Sequence, residues 1–167
     1  MVVFTWYNGE VPMNMKVRQV YGLVFTRDGR MLMKVETKAN GKKVYSLAGG
    51  TPESFDKDME ATLRREFVEE VNTTLEKPIL VGYQEVNEGR GIDPYVQVRM
   101  VAYIDEIGPV QPDPDNGETY ERLLTTPSKV IELLNWGEVG KKQVEAAVKI
   151  AKEQLGLEEF SDKEEYI

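Results

Sequence analysis

Residues 49–74 read Gly-Gly-Thr-Pro-Glu-Ser-Phe-Asp-Lys-Asp-Met-Glu-Ala-Thr-Leu-Arg-Arg-Glu-Phe-Val-Glu-Glu-Val-Asn-Thr-Thr. A double-glycine turn leads into an acidic loop, and the loop leads into a helix carrying Arg65, Glu66, Glu69 and Glu70. Glutamates at i, i+3 and i+4 share one helix face. They repel one another unless something positive sits among them. A divalent cation meets that need, because hard cations prefer carboxylate oxygens. Met59, Leu63, Phe67 and Val71 form the apolar stripe of the same helix. Glu70 falls between Met59 and Leu63 on the wheel, Glu66 lies just beside them, and Glu69 lies further round towards solvent. A solvated charged face accounts for Glu69, Asp58 and Arg65. It does not account for Glu66 and Glu70, which border the buried stripe. On geometry alone a metal or catalytic site and a solvated face both stay open. Without metal, repulsion between Glu66 and Glu70 predicts that a neutral amide at position 70 is tolerated or preferred.

The run Arg65-Glu66-Phe67-Val68-Glu69-Glu70-Val71 resembles the core of the Nudix box, R-E-U-x-E-E, where U is aliphatic or aromatic. Gly49-Gly50, with Glu53 three residues on, resembles the opening loop of that box. Tyr45-Ser46-Leu47-Ala48 resembles the strand that leads in. The resemblance is tight over the box and loose from about 17 to 155. Two departures stand out. From Gly50 to Arg65 the chain has one residue more than the family pattern, which reads as an insertion where loop meets helix. Asp56 then stands in for the isolated box glutamate, with Lys57 as the extra residue. Asn72 replaces the closing glycine, a mild change because Asn tolerates the left-handed conformation that ends a helix.

The resemblance implies an α/β fold, a Nudix-like α/β/α sandwich with a mixed, mainly antiparallel sheet. It implies a metal-dependent hydrolase of phosphoanhydride (pyrophosphate) bonds in a nucleoside diphosphate linked to another group, using Mg²⁺ or Mn²⁺. Glu66, Glu69 and Glu70 become metal ligands or base, and the Gly49 carbonyl a further ligand. Arg65 orients the helix glutamates and pairs with a loop acid, Glu53 or Asp56. Family members often bring a late loop glutamate to the metal, and Glu118, ahead of Arg122-Leu123-Leu124, resembles it. Glu66 and Glu118 are the two candidates for general base. A Nudix-fold module that binds a nucleotide or partner without cleaving it is the alternative, and a plain acidic scaffold a more distant one. No secondary motif names the substrate.

Composition narrows the chemistry further. The 167 residues, 41% hydrophobic, suit a single domain spanning 1–167, with an N-terminal arm at 1–16 and an acidic tail at 157–167 expected to fray. A net charge of −8 disfavours nucleic acid and anionic membranes as partners. Without cysteine or histidine, thiol catalysis, disulfides and the usual zinc ligands are excluded. Catalysis must run on carboxylates, Lys, Tyr or a metal. No apolar run reaches transmembrane length and no signal-like start is seen, so a cytoplasmic protein is expected.

The rest of the chain reads as strands and helices around the box. Residues 17–26 and 31–35 flank Asp28-Gly29 and predict a hairpin. Residues 43–47 form the strand that delivers the glycine turn. The helix is expected from about 57 to Asn72, with strands at 79–86 and 95–104. In the second of these, Val96, Val98 and Met100 face inward, while Tyr95, Gln97 and Arg99 take the other face of a half-buried strand. Arg90, between two glycines, is a solvated loop arginine or a phosphate clamp. Residues 108–120 make a long proline-rich, acidic loop, of the kind that is often functional. Thr126-Pro127 predicts a helix to Leu134, and residues 141–155 an amphipathic helix ended by Gly156. Aromatics in the arm either stack on a base or pack on the core or a partner subunit. Packing is the expectation, and it leaves room for a homodimer.

Overall fold

The computed structural model describes residues 1–167. Its elements are β1 (Val3–Asn8), β2 (Lys16–Phe25), β3 (Met31–Thr37), β4 (Lys43–Ser46), β5 (Gly49–Gly50), α1 (Met59–Val71), β6 (Thr73–Asn87), β7 (Tyr95–Ile107), β8 (Glu121–Thr125), α2 (Pro127–Leu134), α3 (Gly137–Gln154) and β9 (Glu165–Tyr166). The strands run in the order β1-β6-β7-β2-β3-β8-β9, with β4 on β3 and β5 on β2. Only β2 and β7 pair in parallel. This is the mixed, mainly antiparallel sheet between helices expected of the α/β fold.

Alternation along the central strands feeds two cores. Val20 and Val24 of β2, with Val96, Val98 and Met100 of β7, meet Leu63, Phe67 and Val71 of α1. Leu23 and Phe25 of β2, with Val101 of β7, share the second core with Val130 of α2 and with Val144, Ala147 and Ala151 of α3. Burying a side chain of this size contributes about 1.5–3 kcal/mol, so the two layers hold the sheet from both faces.

The expected hairpin is only partly a hairpin. Gly29 closes the turn by donating its N–H to the Thr26 carbonyl at 3.0 Å. Beyond Phe25↔Met31 the two strands separate, β2 continuing on β7 and β3 on β4 and β8. The glycine turn enters the gap, pairing Gly50 with Val20 and Gly49 with Tyr21.

The box helix starts at Met59, two residues later than expected. Asp58 caps it by accepting the Ala61 N–H at 2.8 Å. Asn72 ends it in the left-handed conformation, φ 46°. Its side chain also donates to the Pro109 carbonyl at 2.9 Å, a bond that glycine could not make.

Four further expectations change. β6 begins at Thr73 rather than 79, because the ladder continues past Pro78 through an irregularity between Glu76 and Ile79. A proline donates no ladder hydrogen bond and so reads as a strand stop. β7 is covered on both faces, not one, and Arg99 is 1% exposed. α3 starts at Gly137 rather than 141, whereas α2 runs from Pro127 to Leu134 as expected. The acidic tail does not fray. Leu157 is buried, β9 pairs with β8, and Glu165 meets Arg30 at 2.8 Å. The tail carboxylates find a basic and hydroxyl-bearing strip, including Thr125, which donates to Glu164 at 2.6 Å.

The arm is β1, an edge strand on β6. Tyr7 stacks on Tyr83 with 5.2 Å between ring centroids. No helix is long and apolar enough to cross a membrane.

Candidate functional site

The glycine turn and α1 press against each other. Gly49 sits at φ +149°, where a Cβ would lie 2.2 Å from the Val20 carbonyl oxygen. At Gly50 a Cβ would lie 2.4 Å from Glu66 Oε1. Only glycine lets the backbone run this close to the helix carboxylates. The Gly49 N–H donates to Glu70 Oε1 at 2.8 Å, which ties the turn directly to the helix.

Arg65 gathers the acids. Its Nε and Nη2 fork onto Asp56 at 3.0 and 2.9 Å, and Nη1 reaches Glu66 at 3.1 Å and Glu69 at 3.2 Å. Nη2 also donates to the Thr51 carbonyl at 3.1 Å. A two-pronged arginine–carboxylate pair of this kind fixes both partners. The hydrogen bonds from Arg65 hold the Asp56 carboxyl well below the usual carboxylate range, with the Glu53 N–H and Thr62 hydroxyl adding to them. Of the two loop acids considered for Arg65, Asp56 is the one in contact. Lys57 is exposed between Asp56 and the helix cap, so the extra residue is absorbed outside the helix.

Burial dominates Glu66, pushing its carboxyl up to about 7. Arg65 opposes the shift and Glu70 reinforces it. Burial raises Glu69 as well, Arg65 opposes that rise, and Asp115 and Asp113 add to it. Glu70 has partners of its own besides its repulsion of Glu66, contrary to the expectation behind a tolerated amide at 70. Lys34 Nζ, from β3, lies 2.5 Å from Glu70 Oε2. That lysine also sits over the Tyr120 ring, 4.7 Å from its centroid.

The long acidic loop reaches this helix through residues the sequence reading did not single out. Carboxylate oxygens of Glu69, Asp113 and Asp115 lie within 4.8 Å of one another. Glu118 is outside that trio. It is exposed, and its carboxylate accepts the Tyr120 hydroxyl at 3.2 Å. Its backbone carbonyl accepts the Asp113 N–H at 2.7 Å, so it braces the turn that presents Asp113. Arg90 is exposed at φ 55° in its loop. The signal for the missed pair was Asp113-Pro114-Asp115 itself, two acids across a proline in a loop long enough to reach the helix.

The NUDIX domain family profile matches residues 15–144, which contain this turn, helix and loop. The chain belongs to the NUDIX family. Its activity is therefore that of a Nudix-type hydrolase. Among solved structures it is similar to the Bacillus subtilis pyrophosphohydrolase BsRppH, with TM-score 0.66 and 16% identity over 93% of each chain. It is also similar to a NUDIX hydrolase from Nitrosomonas europaea, with TM-score 0.60 and 12% identity over 80% of this chain and 90% of that one. A structure from a study of MutT from Aliivibrio salmonicida and Vibrio cholerae gives TM-score 0.56 and 13% identity over 78% and 98%. At such identities the likeness shows the fold. A search of curated protein sequences gave no match. Within the NUDIX box of this chain, Glu66 and Glu70 are buried while Glu69 meets the loop acids. The box therefore carries two inner carboxylates and one that joins a second acidic segment.

Proposed function

We propose that this NUDIX protein cleaves a phosphoanhydride bond in a nucleoside diphosphate linked to another group, with Mg²⁺ or Mn²⁺ as cofactor. The observation that carries the reading is the convergence of Glu69, Asp113 and Asp115 on one point beside buried Glu66 and Glu70. The donors are all carboxylate oxygens in a chain without histidine or cysteine, and that set suits a hard divalent ion. Glu66, Glu69, Glu70, Asp113 and Asp115 would hold it, with the Gly49 carbonyl as a family-implied addition. A bound ion would supply positive charge to offset what builds on the phosphoryl oxygens.

The chain's own residues divide the remaining work. Glu66, buried on the inner edge of α1 and held by Arg65, accepts the proton of the attacking water. Arg65 keeps Glu66 and Glu69 pointing along one helix edge and anchors both to the loop through Asp56. Lys34 holds Glu70. Glu118, through Tyr120 and Asp113, sets the shape of the acidic loop.

The experiment is a panel of nucleoside diphosphate derivatives assayed with Mg²⁺ and with Mn²⁺ for release of the two phosphorylated products. Turnover is expected with either metal and should vanish in excess EDTA. Undiminished turnover in chelator would remove the metal from the reading. Metal-dependent binding of nucleotides with no turnover on any member would identify a binding module instead.

A further inference from the structure

Arg99 projects from β7 on the side of the sheet away from α1, and it is buried without a carboxylate partner. Its Nε donates to Gln143 Oε1 of α3 at 2.8 Å. Gln143 Nε2 donates to Gln84 Oε1 at 2.9 Å, Gln84 Nε2 to Gln97 Oε1 at 2.8 Å, and Gln97 Nε2 to Gln19 Oε1 at 3.0 Å. The four amides thus run in one sense, and the first carbonyl locks the arginine by a single nitrogen. Arg99 Nη1 is buried with no hydrogen-bond partner. A buried donor left unmade costs about 1–3 kcal/mol, and more when it is charged. Burial also pulls the guanidinium down to about 10, against a small opposing effect of Tyr21.

The arginine lines a cavity of about 640 Å³, within the usual range for small-molecule sites of roughly 300–1,000 Å³. The guanidinium carbon lies 5.1 Å from the ring centroid of Tyr21 and 5.4 Å from that of Trp136. Phe4 and Leu47 add apolar wall. Lys34 lines the same cavity and touches Glu70, so the cavity opens beside the carboxylate cluster. Aromatic walls accept any flat ring. The guanidinium adds a planar fork of donors, and a fork matches two adjacent acceptors in one plane. Guanine and hypoxanthine offer that pair at O6 and N7. Adenine puts an N6 donor where O6 would be, and the resulting discrimination is about 1–3 kcal/mol, or roughly 5- to 150-fold. A small oxyanion would meet the charge but leave the aromatic walls and most of the volume unused.

We propose that this cavity holds the base of the nucleotide and that Arg99 selects a 6-oxopurine ring. The proposal rests on the nucleotide reading above and deepens it. The test is calorimetric titration of GDP, IDP, ADP and UDP into the intact protein in EDTA, which reads the cavity without turnover. GDP and IDP should bind at least about 10-fold more tightly than ADP and UDP, within the range for a two-pronged base contact. Arg99→Gln should bring all four within about threefold of one another. Arg99→Lys, which keeps the charge and loses the fork, should do the same and serves if the glutamine variant does not fold. Equal affinities in the wild type would overturn the assignment. So would displacement of GDP from the wild type by submillimolar inorganic phosphate, which would mark Arg99 as an oxyanion site. Base-selective binding without metal-dependent turnover would sink the hydrolase reading alone. Turnover of guanine and adenine substrates at equal kcat/KM would sink the base assignment alone.

Discussion

The carboxylate cluster on α1 and the cavity around Arg99 share Lys34, yet they treat charge in opposite ways. In the cluster each box acid has a partner within the chain. Asp56, Glu66 and Glu69 meet Arg65, while Glu70 meets Lys34 and the Gly49 N–H. In the cavity Arg99 is fixed by one neutral amide, and its Nη1 is left without a partner. The first region is shaped by the chain itself, because its own cations hold the carboxylates together. The second keeps a buried donor unmet, which on the proposed reading the base of the nucleotide would satisfy. Internal pairing therefore marks what the fold sets by itself, and an orphaned group marks what it leaves unmet.

The largest expected effect falls on the paired side. Glu70→Gln should lower turnover by roughly two to four orders of magnitude, the scale for losing a key charged group at such a site. Its metal-free form should melt below the wild type, because Lys34, with its side chain 17% exposed, loses its carboxylate. Thermal melts without metal and steady-state kinetics with it check both parts. Full activity together with an unchanged melt would show that the Lys34–Glu70 pair contributes nothing to either property.

A smaller effect tests the contrast directly. Arg65→Met should cost about 3 kcal/mol in urea unfolding, since it strands three carboxylates. Arg99→Met should instead be neutral or stabilising by about 1 kcal/mol, because a buried cation without a counter-ion is replaced by apolar volume. The loss of the Gln143 hydrogen bond limits that gain. Equal destabilisation by the two substitutions would erase the distinction between the regions.

The smallest effect is on pH dependence. Asp56 titrates below its ordinary range in the folded protein because of Arg65. The folded state therefore binds fewer protons there than the unfolded state, whose Asp titrates near about 4. The Asp56 contribution is complete above that pH and is lost as pH falls towards the folded value. Between pH 5 and pH 3 the wild type should lose melting temperature faster than Asp56→Asn. Parallel curves would show that the pair adds no pH-dependent stability.

Much of the first region was legible in the sequence, and little of the second. Glu66, Glu69 and Glu70 lie within one helical turn, so periodicity alone places them together. Lys34 is 36 residues from Glu70 and arrives through the β2–β3 separation, which no local pattern announces. Asp113 and Asp115 depend on how the long loop folds back, which Glu118 and Tyr120 help to set. Alternation correctly assigned Arg99 to the face opposite Val98. It could not say that α3 covers that face, because a period of two reports sides and not what lies against them. The same limit hid the tail, whose acids read as solvated until Arg30 and β8 were placed beside them.

That tail has a consequence for how the chain is made. The Arg30–Glu165 contact joins residues 135 apart, and closing so long a loop is among the slower events in folding. During synthesis β8 can pair with β3 well before β9 emerges. Until then the outer edge of β8 is bare, with Leu123 and Leu124 beside unmade ladder hydrogen bonds. A bare edge of this kind templates strands from other chains. The acidic segment that follows supplies both the missing strand and its negative charge, so the edge is closed by a pairing and an ion pair that form together.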